Sequence, residues 1–283
     1  MEYNQNIVEK ICDTLIKAGS TFLADKKKAY VQAINKESNP RAKWVLQTVL
    51  QNAEVAEKVR CPLCDDTGIP HILIEVGPNA VLTGNIIESI KEGVRQGLRK
   101  LPGRPMAVKG SAVQRISQSE GLYEDPGMLD PAPILIRNTD EELLKVHILM
   151  FGGPAIRAHT YRVFHQHKVD AVMDQIVEWA KESTAQLGCT PSTLAVGIGR
   201  SHYEAATLML QALVDGTYDK QSELEQQITR RVNEAHVGAL GLGGDTTVLA
   251  TFMKVGPQRA SGVRIVCVRP CCCVEPRIAT VVL

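Results

Sequence analysis

A mixed α+β fold is predicted by three features of the 283-residue sequence. The first 59 residues carry helical spacing, several later runs have the apolar, β-branched character of strands, and the two types do not alternate as regular βαβ units. The length suits one large domain or two smaller ones. The expectation is a single domain over 1–283, with residues 1–59 as a helical N-terminal part.

In ICDTLIKAG and WVLQTVLQNAEVAEKV apolar residues recur three and four apart, and Asn39-Pro40 fits a helix start. Residues 60–70, RCPLCDDTGIP, read as a loop from their proline and glycine. HILIEVG (71–77) reads as a short strand and residues 86–101 as an amphipathic helix. The glycine, proline and serine of 102–131 read mostly as loop. APILIRN and LLKVHILMFGG read as paired strands. Residues 168–187 form a helix stopped by Gly188. TLAVGIG (193–199) has the continuous apolar character of a buried strand, and HYEAATLMLQALV follows as a helix. A charged helix is expected over 221–236. TVLATFMKV, VRIVCV and RIATVVL close the chain as strands. No internal repeat is visible.

Lys and Arg number 32 against 31 Asp and Glu, so the net charge of +1 gives no global footprint for nucleic acid. The N-terminus lacks the unbroken apolar core of a signal peptide, and no run approaches the roughly 20 apolar residues of a membrane helix. The expectation is a soluble, cytoplasmic protein with no nucleic-acid or membrane partner.

Eight cysteines lie at positions 12, 61, 64, 189, 267, 271, 272 and 273. In a reducing compartment such clusters point to metal or catalysis rather than disulfides. Cys12 and Cys267 sit in apolar patterns and read as small buried hydrophobes. A four-thiolate zinc site wants a second CxxC, which the sequence lacks. Three separated loop thiolates suit an iron–sulfur cluster with one iron left open. Adjacent side chains on an extended chain point to opposite faces, so only one or two of Cys271, Cys272 and Cys273 can face one centre.

Two glycine-bearing segments also stand out. In TLAVGIG-Arg200-Ser201, Ser201 either caps the next helix or helps present an anion site at the helix start. LGLGGDTTV (240–248) is either a tight packing turn or a point of close approach to a ligand.

These segments together resemble the iron–sulfur (class I) fumarate hydratases and L-tartrate dehydratases. CPLCDDTG is similar to the family's PLCQDTG. GCTPSTLAVGIGRSHYEAATLML, HVGALGLGGDTTVLATFMKV and CVEPRIATVVL are similar to three further segments in the same order. The likeness covers roughly residues 50–283. It implies a 4Fe–4S cluster held by Cys64, Cys189 and Cys273, with Cys271 or Cys272 as the other choices for the third ligand. Cys61 has no counterpart in that ligand set.

The resemblance further implies Asp66 as a catalytic carboxylate on the substrate side. It implies Asp65, Arg104, Gly152, Gly153 and Arg200 as substrate-binding positions. Asp65 replaces the family's usual glutamine and exchanges an amide donor for an acceptor, and its charge beside Asp66 would repel a dianion unless it is protonated or paired. This chain ends where the family's α-type domain ends. The implied protein is therefore an α subunit of a hydro-lyase that needs a separate β subunit, arranged as an α homodimer within a heterotetramer. The implied reaction is hydration of fumarate to malate, with tartrate or a related 2-hydroxy dicarboxylate as the alternative. A metal-binding homologue without catalysis and a zinc-binding structural domain are the readings from other classes.

Overall fold

The computed structural model describes residues 2–165, 168–260 and 263–283. It shows a mixed α+β fold with two four-stranded sheets, in two compact units. The first unit comprises residues 1–22, 53–152 and 277–283; the second comprises 23–52 and 153–276.

The N-terminal stretch forms three helices, α1 (Gln5–Ser20), α2 (Ala24–Lys36) and α3 (Pro40–Val59). The Asn4 side chain caps α1 by accepting from the Ile7 amide at 3.3 Å. At α3 the Asn39 side chain accepts from the Arg41 amide at 3.0 Å, with Pro40 at the first helical position.

In the first unit, β1 (Ile69–Val76) leads to α4 (Gly84–Lys100), α5 (Ala112–Ser117), β2 (Leu135–Asn138) and β3 (Leu144–Phe151). Its sheet runs β2-β1-β3-β8, where β8 is Arg277–Val282. The buried faces of α1 and α4 contribute Ile11, Leu15, Ile90 and Val94 to a core with Ile72, Ile74, Val146 and Ile148. Burying each such side chain fully is worth about 1.5–3 kcal/mol, so this core anchors the unit.

The expected pairing of β2 with β3 is not observed. β1 lies between them, parallel to β2 and antiparallel to β3. β2 has only four residues and is half exposed, which suits an edge, whereas most of β1 is buried. The stretch 102–131 is also not wholly loop. Ser111 and Gln114 form a reciprocal capping box that starts α5.

In the second unit the elements are α6 (Gly153–Ala158), β4 (Thr160–His165), α7 (Val169–Leu187), β5 (Ser192–Gly199), α8 (His202–Asp215), α9 (Glu223–Asn233), β6 (Val248–Val255) and β7 (Val263–Cys271). Of these, α6 and β4 are not anticipated by the apolar pattern. The sheet order is β4-β7-β5-β6. All eight residues of β5 are buried, as its unbroken apolar run predicts. Gly197 is needed there because a Cβ would collide with the Ala205 carbonyl of α8, so the helix lies directly on the strand.

The two sheets share one topology. Each central strand, β1 or β5, has the next strand parallel on one side and the third strand antiparallel on the other. A fourth strand then pairs antiparallel with the third. These fourth strands are exchanged: β4 follows β3 in the chain but joins the second sheet, and β8 follows β7 but joins the first. The correspondence fixes where the cysteine segments fall.

Candidate active site and the cysteine loops

The CPLCDDTG loop enters β1, the central strand of the first sheet. Its anchor is Arg277, the first residue of β8, whose side chain is almost wholly buried. The guanidinium donates from Nη1 to the Asp66 carbonyl at 2.8 Å and from Nε to the Met150 carbonyl at 3.1 Å. Gly68 adopts φ +82°, and a Cβ there would stand 2.5 Å from Arg277 Nη2 and 2.8 Å from the Phe151 carbonyl. The glycine of DDTG is therefore required both by its left-handed backbone and by the arginine beneath it.

Asp66 is buried, and Asp65 beside it is exposed. Arg104 is brought to this loop: Thr67 Oγ1 donates to its carbonyl at 3.0 Å, and its Nη1 lies 3.7 Å from an Asp65 carboxylate oxygen. The Asp65 charge thus has a cationic partner. Both side chains are more than half exposed, so the pair is worth at most about 1 kcal/mol in stability and acts chiefly by local neutralisation. The Cys64 thiol lies 3.5 Å from Asp65 Oδ1. Burial pushes the Cys64 thiol up, and the Asp65 carboxyl adds to this, while the Asp66 backbone amide and Arg277 work in the opposite direction. Gly152 directly follows β3 within the same unit, at the end where Phe151 lies opposite Ile69 of β1.

In the second unit Cys189 occupies the topologically matching place, just before the central strand β5. Cys273 lies in the turn between β7 and β8. Its amide donates to the Cys189 carbonyl at 2.7 Å, so the two segments are side by side. The peptide bonds Thr190–Pro191 and Glu275–Pro276, which flank these segments, are both cis.

The structure separates the three consecutive cysteines. Cys271 and Cys272 are buried, whereas Cys273 keeps part of its surface exposed. Cys271 is pushed up to about 12 by burial and by Glu275, and it shares a hydrogen bond with Arg269. Cys12 and Cys267 are buried, as their apolar contexts predict, and Cys267 Sγ lies 3.2 Å from His159 Nε2. Cys64, Cys189, Cys273 and Cys61 are the partly exposed thiols. Among the described residues, no group of three His, Cys, Asp or Glu side chains is drawn together closely enough to hold a metal ion.

Arg200 is not brought to the cysteine end of the second sheet. It follows the far end of β5, and eight strand residues at the usual rise span about 23 Å. Its guanidinium is paired with Glu204 at 2.7 Å, and its backbone amide also donates to Glu204. Ser201 caps α8 by accepting from the Glu204 amide at 3.1 Å. This segment is therefore a helix cap with an ion pair. Gly153 opens the short α6.

The glycine-rich loop around Gly243-Gly244 also has an internal role. Its Asp245 and Thr246 amides donate to the buried Glu37 carboxylate at 2.9 and 3.1 Å. An endogenous carboxylate thus fills the donors that a ligand anion would use. Sequence reasoning singled out neither Glu37 nor Arg277. The signal for Arg277 was its isolation within an apolar strand, where a cation requires buried acceptors.

Fold and site together define an α+β protein with two matching sheets, each carrying a cysteine loop ahead of its central strand. Residues 8–282 match the family described as fumarate hydratase (Fumerase), and the chain belongs to that family. It is 29% identical to a protein of Methanocaldococcus jannaschii provisionally named L(+)-tartrate dehydratase subunit alpha, over 87% of this chain and 88% of that one. It is 23% identical to the L(+)-tartrate dehydratase subunit alpha of Escherichia coli K12, over 81% of this chain and 75% of that protein. A Geobacillus stearothermophilus protein provisionally named fumarate hydratase class I is 23% identical over 89% of this chain, which spans half of that protein's length.

Proposed function

We propose that this chain is the α subunit of a hydro-lyase that reversibly hydrates fumarate to malate and works with a separate β subunit. The observation that carries this reading is the pattern of coverage. The chain spans most of proteins named as α subunits, but only half of the class I fumarate hydratase it matches. The family resemblance supplies the remaining terms: a 4Fe–4S cluster with Cys64, Cys189 and Cys273 as ligands, and an α homodimer within a heterotetramer.

The donor set is chemically suited to that group. All three thiols are partly exposed, while Cys12, Cys267, Cys271 and Cys272 are buried. When bound, the open iron supplies Lewis acidity toward a substrate hydroxyl and carboxylate. The raised Cys64 thiol would favour ligation under conditions that remove its proton.

The chain's own residues then do three things. Arg277 fixes the backbone of Asp66 through its carbonyl. The mostly buried Asp66 carboxylate offers a fixed acceptor for the substrate hydroxyl or the added water. Arg104 offsets the Asp65 charge, which lowers the repulsion that a dicarboxylate would meet beside two aspartates. The α-subunit relatives favour one second reading, dehydration of tartrate to oxaloacetate, because both carry that activity in their names.

The test is anaerobic co-production with a β-type subunit, followed by iron and sulfide analysis and turnover of fumarate and tartrate. Iron and sulfide in the chain with loss of fumarate absorbance supports the first reading, and oxaloacetate from tartrate supports the second. A Cys64→Ser variant that retained the full cluster would overturn the ligand assignment. A metal-bearing chain that turns over neither substrate with its partner would leave a binding protein, and zinc in place of iron would leave a structural domain.

A further inference from the structure

The second unit contains a buried polar cluster that the proposed reaction does not use. Lys26 on α2 is fully buried, and its Nζ donates to the Glu275 carbonyl at 2.6 Å. One helical turn on, the Tyr30 hydroxyl donates to the Cys273 carbonyl at 2.7 Å. The two residues are four apart, so they project from one face of α2 onto one turn of the chain. Arg269 also donates to the Glu275 carboxylate at 3.0 Å, and both side chains are buried. The Cys272 amide also points at this carboxylate, at 3.4 Å. Arg269 shares a hydrogen bond with the Cys271 thiol.

We propose that Lys26 and Tyr30 are positioning residues that select Cys273, rather than Cys271 or Cys272, as the exposed thiol of the three. Cys271 is held as the last residue of β7, but just beyond the strand a small rotation of the backbone could present Cys272 in place of Cys273, because successive side chains point to opposite faces. Two carbonyls gripped from α2 remove that freedom. With the Cys273 and Glu275 carbonyls held, the Cys273 amide meets the Cys189 carbonyl, and Cys271 stays beside Arg269. A lysine is seldom fully buried without a specific acceptor, and here the acceptor is the backbone of the cysteine turn itself. The inference deepens the proposed function, since it rests on Cys273 being a ligand. The clamp itself is a property of the chain without its cluster.

The experiment labels the reduced, cluster-free full-length chain with iodoacetamide and follows each cysteine by peptide mass spectrometry. In the wild type, Cys273 is expected to react ahead of Cys271 and Cys272. Tyr30→Phe removes only the hydroxyl. It is expected to raise Cys272 labelling relative to Cys273 about fivefold, the ratio that one ordinary net hydrogen bond sustains. Lys26→Met is expected to do more. Cys12 and Cys267 serve as controls and stay protected in a folded variant, whereas general loosening would expose them as well.

A wild type that labels Cys271 or Cys272 first overturns the proposal. So does a folded Tyr30→Phe variant whose Cys272-to-Cys273 labelling ratio equals that of the wild type. If Lys26→Met fails to fold, Tyr30→Phe decides. Iron uptake on reconstitution is read separately. A wild type that orders its thiols as expected but takes up no iron would sink the cluster reading and leave the clamp standing, and a variant that takes up iron with an unchanged Cys272-to-Cys273 labelling ratio would do the reverse.

Discussion

Replacing Arg277 by methionine tests how the DDTG loop is held. Methionine keeps an apolar stem of similar length and removes the guanidinium. The hydrogen bonds lost include those at 2.8 Å to the Asp66 carbonyl and 3.1 Å to the Met150 carbonyl, from a side chain that is 1% exposed. A hydrogen bond from a charged donor contributes about 1.5–3 kcal/mol, so the gross loss is about 3–6 kcal/mol. Removing a buried charge recovers part of its desolvation cost, which brings the expected net loss to about 3–4 kcal/mol. For a chain of this size each kcal/mol shifts the melting temperature by about 2–4 °C, so a fall of about 10 °C is expected by circular dichroism. Arg277→Lys restores a single donor group and should recover about half of the loss. Turnover of the reconstituted enzyme should fall further than stability, because a misplacement of about 1 Å at a reacting group can cost about a hundredfold. An Arg277→Met protein that melts within about 2 °C of the wild type would refute the assignment of Arg277 as the loop's anchor.

Three other outcomes follow from the geometry. Glu37→Ala leaves the Asp245 and Thr246 amides without their carboxylate and should cost about 2–4 kcal/mol in urea unfolding, with greater hydrogen exchange at those two amides. Gly197→Ala drives a Cβ into the Ala205 carbonyl of α8 and should cost about 3 kcal/mol, whereas the exposed Gly84→Ala should be neutral or stabilising. His159 is held down to about 4 by burial and by nearby Arg269, so the unfolded chain binds the extra proton. Its contribution is therefore fully present above about pH 6.5 and is lost as pH falls toward 4, which after allowance for partial exposure is about 2 kcal/mol. Melting curves at pH 7.5 and 5 should show a smaller acid shift for His159→Asn than for the wild type.

Strong local patterns were legible in the sequence. The unbroken apolar run of β5 and the stop of α7 at Gly188 needed no partner to be read, because chain-local sterics and burial set them. The burial of Cys12 and Cys267 was equally plain from their apolar neighbours. The capping box that starts α5 was present as Ser-Ala-Val-Gln but was obscured by the glycine and proline around it. Strand partners were not legible. The β2 and β3 segments are neighbours in the chain, yet β1 lies between them, since which edges meet is a long-range choice that no local window contains.

The shared topology of the two sheets was hidden for the same reason. Its fourth strands are exchanged, and the two halves carry no visible repeat in residues. Arg200, a position named by the resemblance, pairs with Glu204 at the far end of β5. Eleven positions from Cys189, it lies across the full length of β5.

The sequence by itself determined the fold class and the segments that carry the chemistry, because residue type, glycine placement and apolar spacing act over a few neighbours. It supplied three adjacent cysteines, of which the family resemblance favours Cys273. The tertiary structure distinguishes them physically, by burying Cys271 and Cys272 and closing α2 over the carbonyls of Cys273 and Glu275. Lys26 and Tyr30 lie more than 240 positions from the turn they grip, and a hydrogen bond across that separation exists only once the chain has folded.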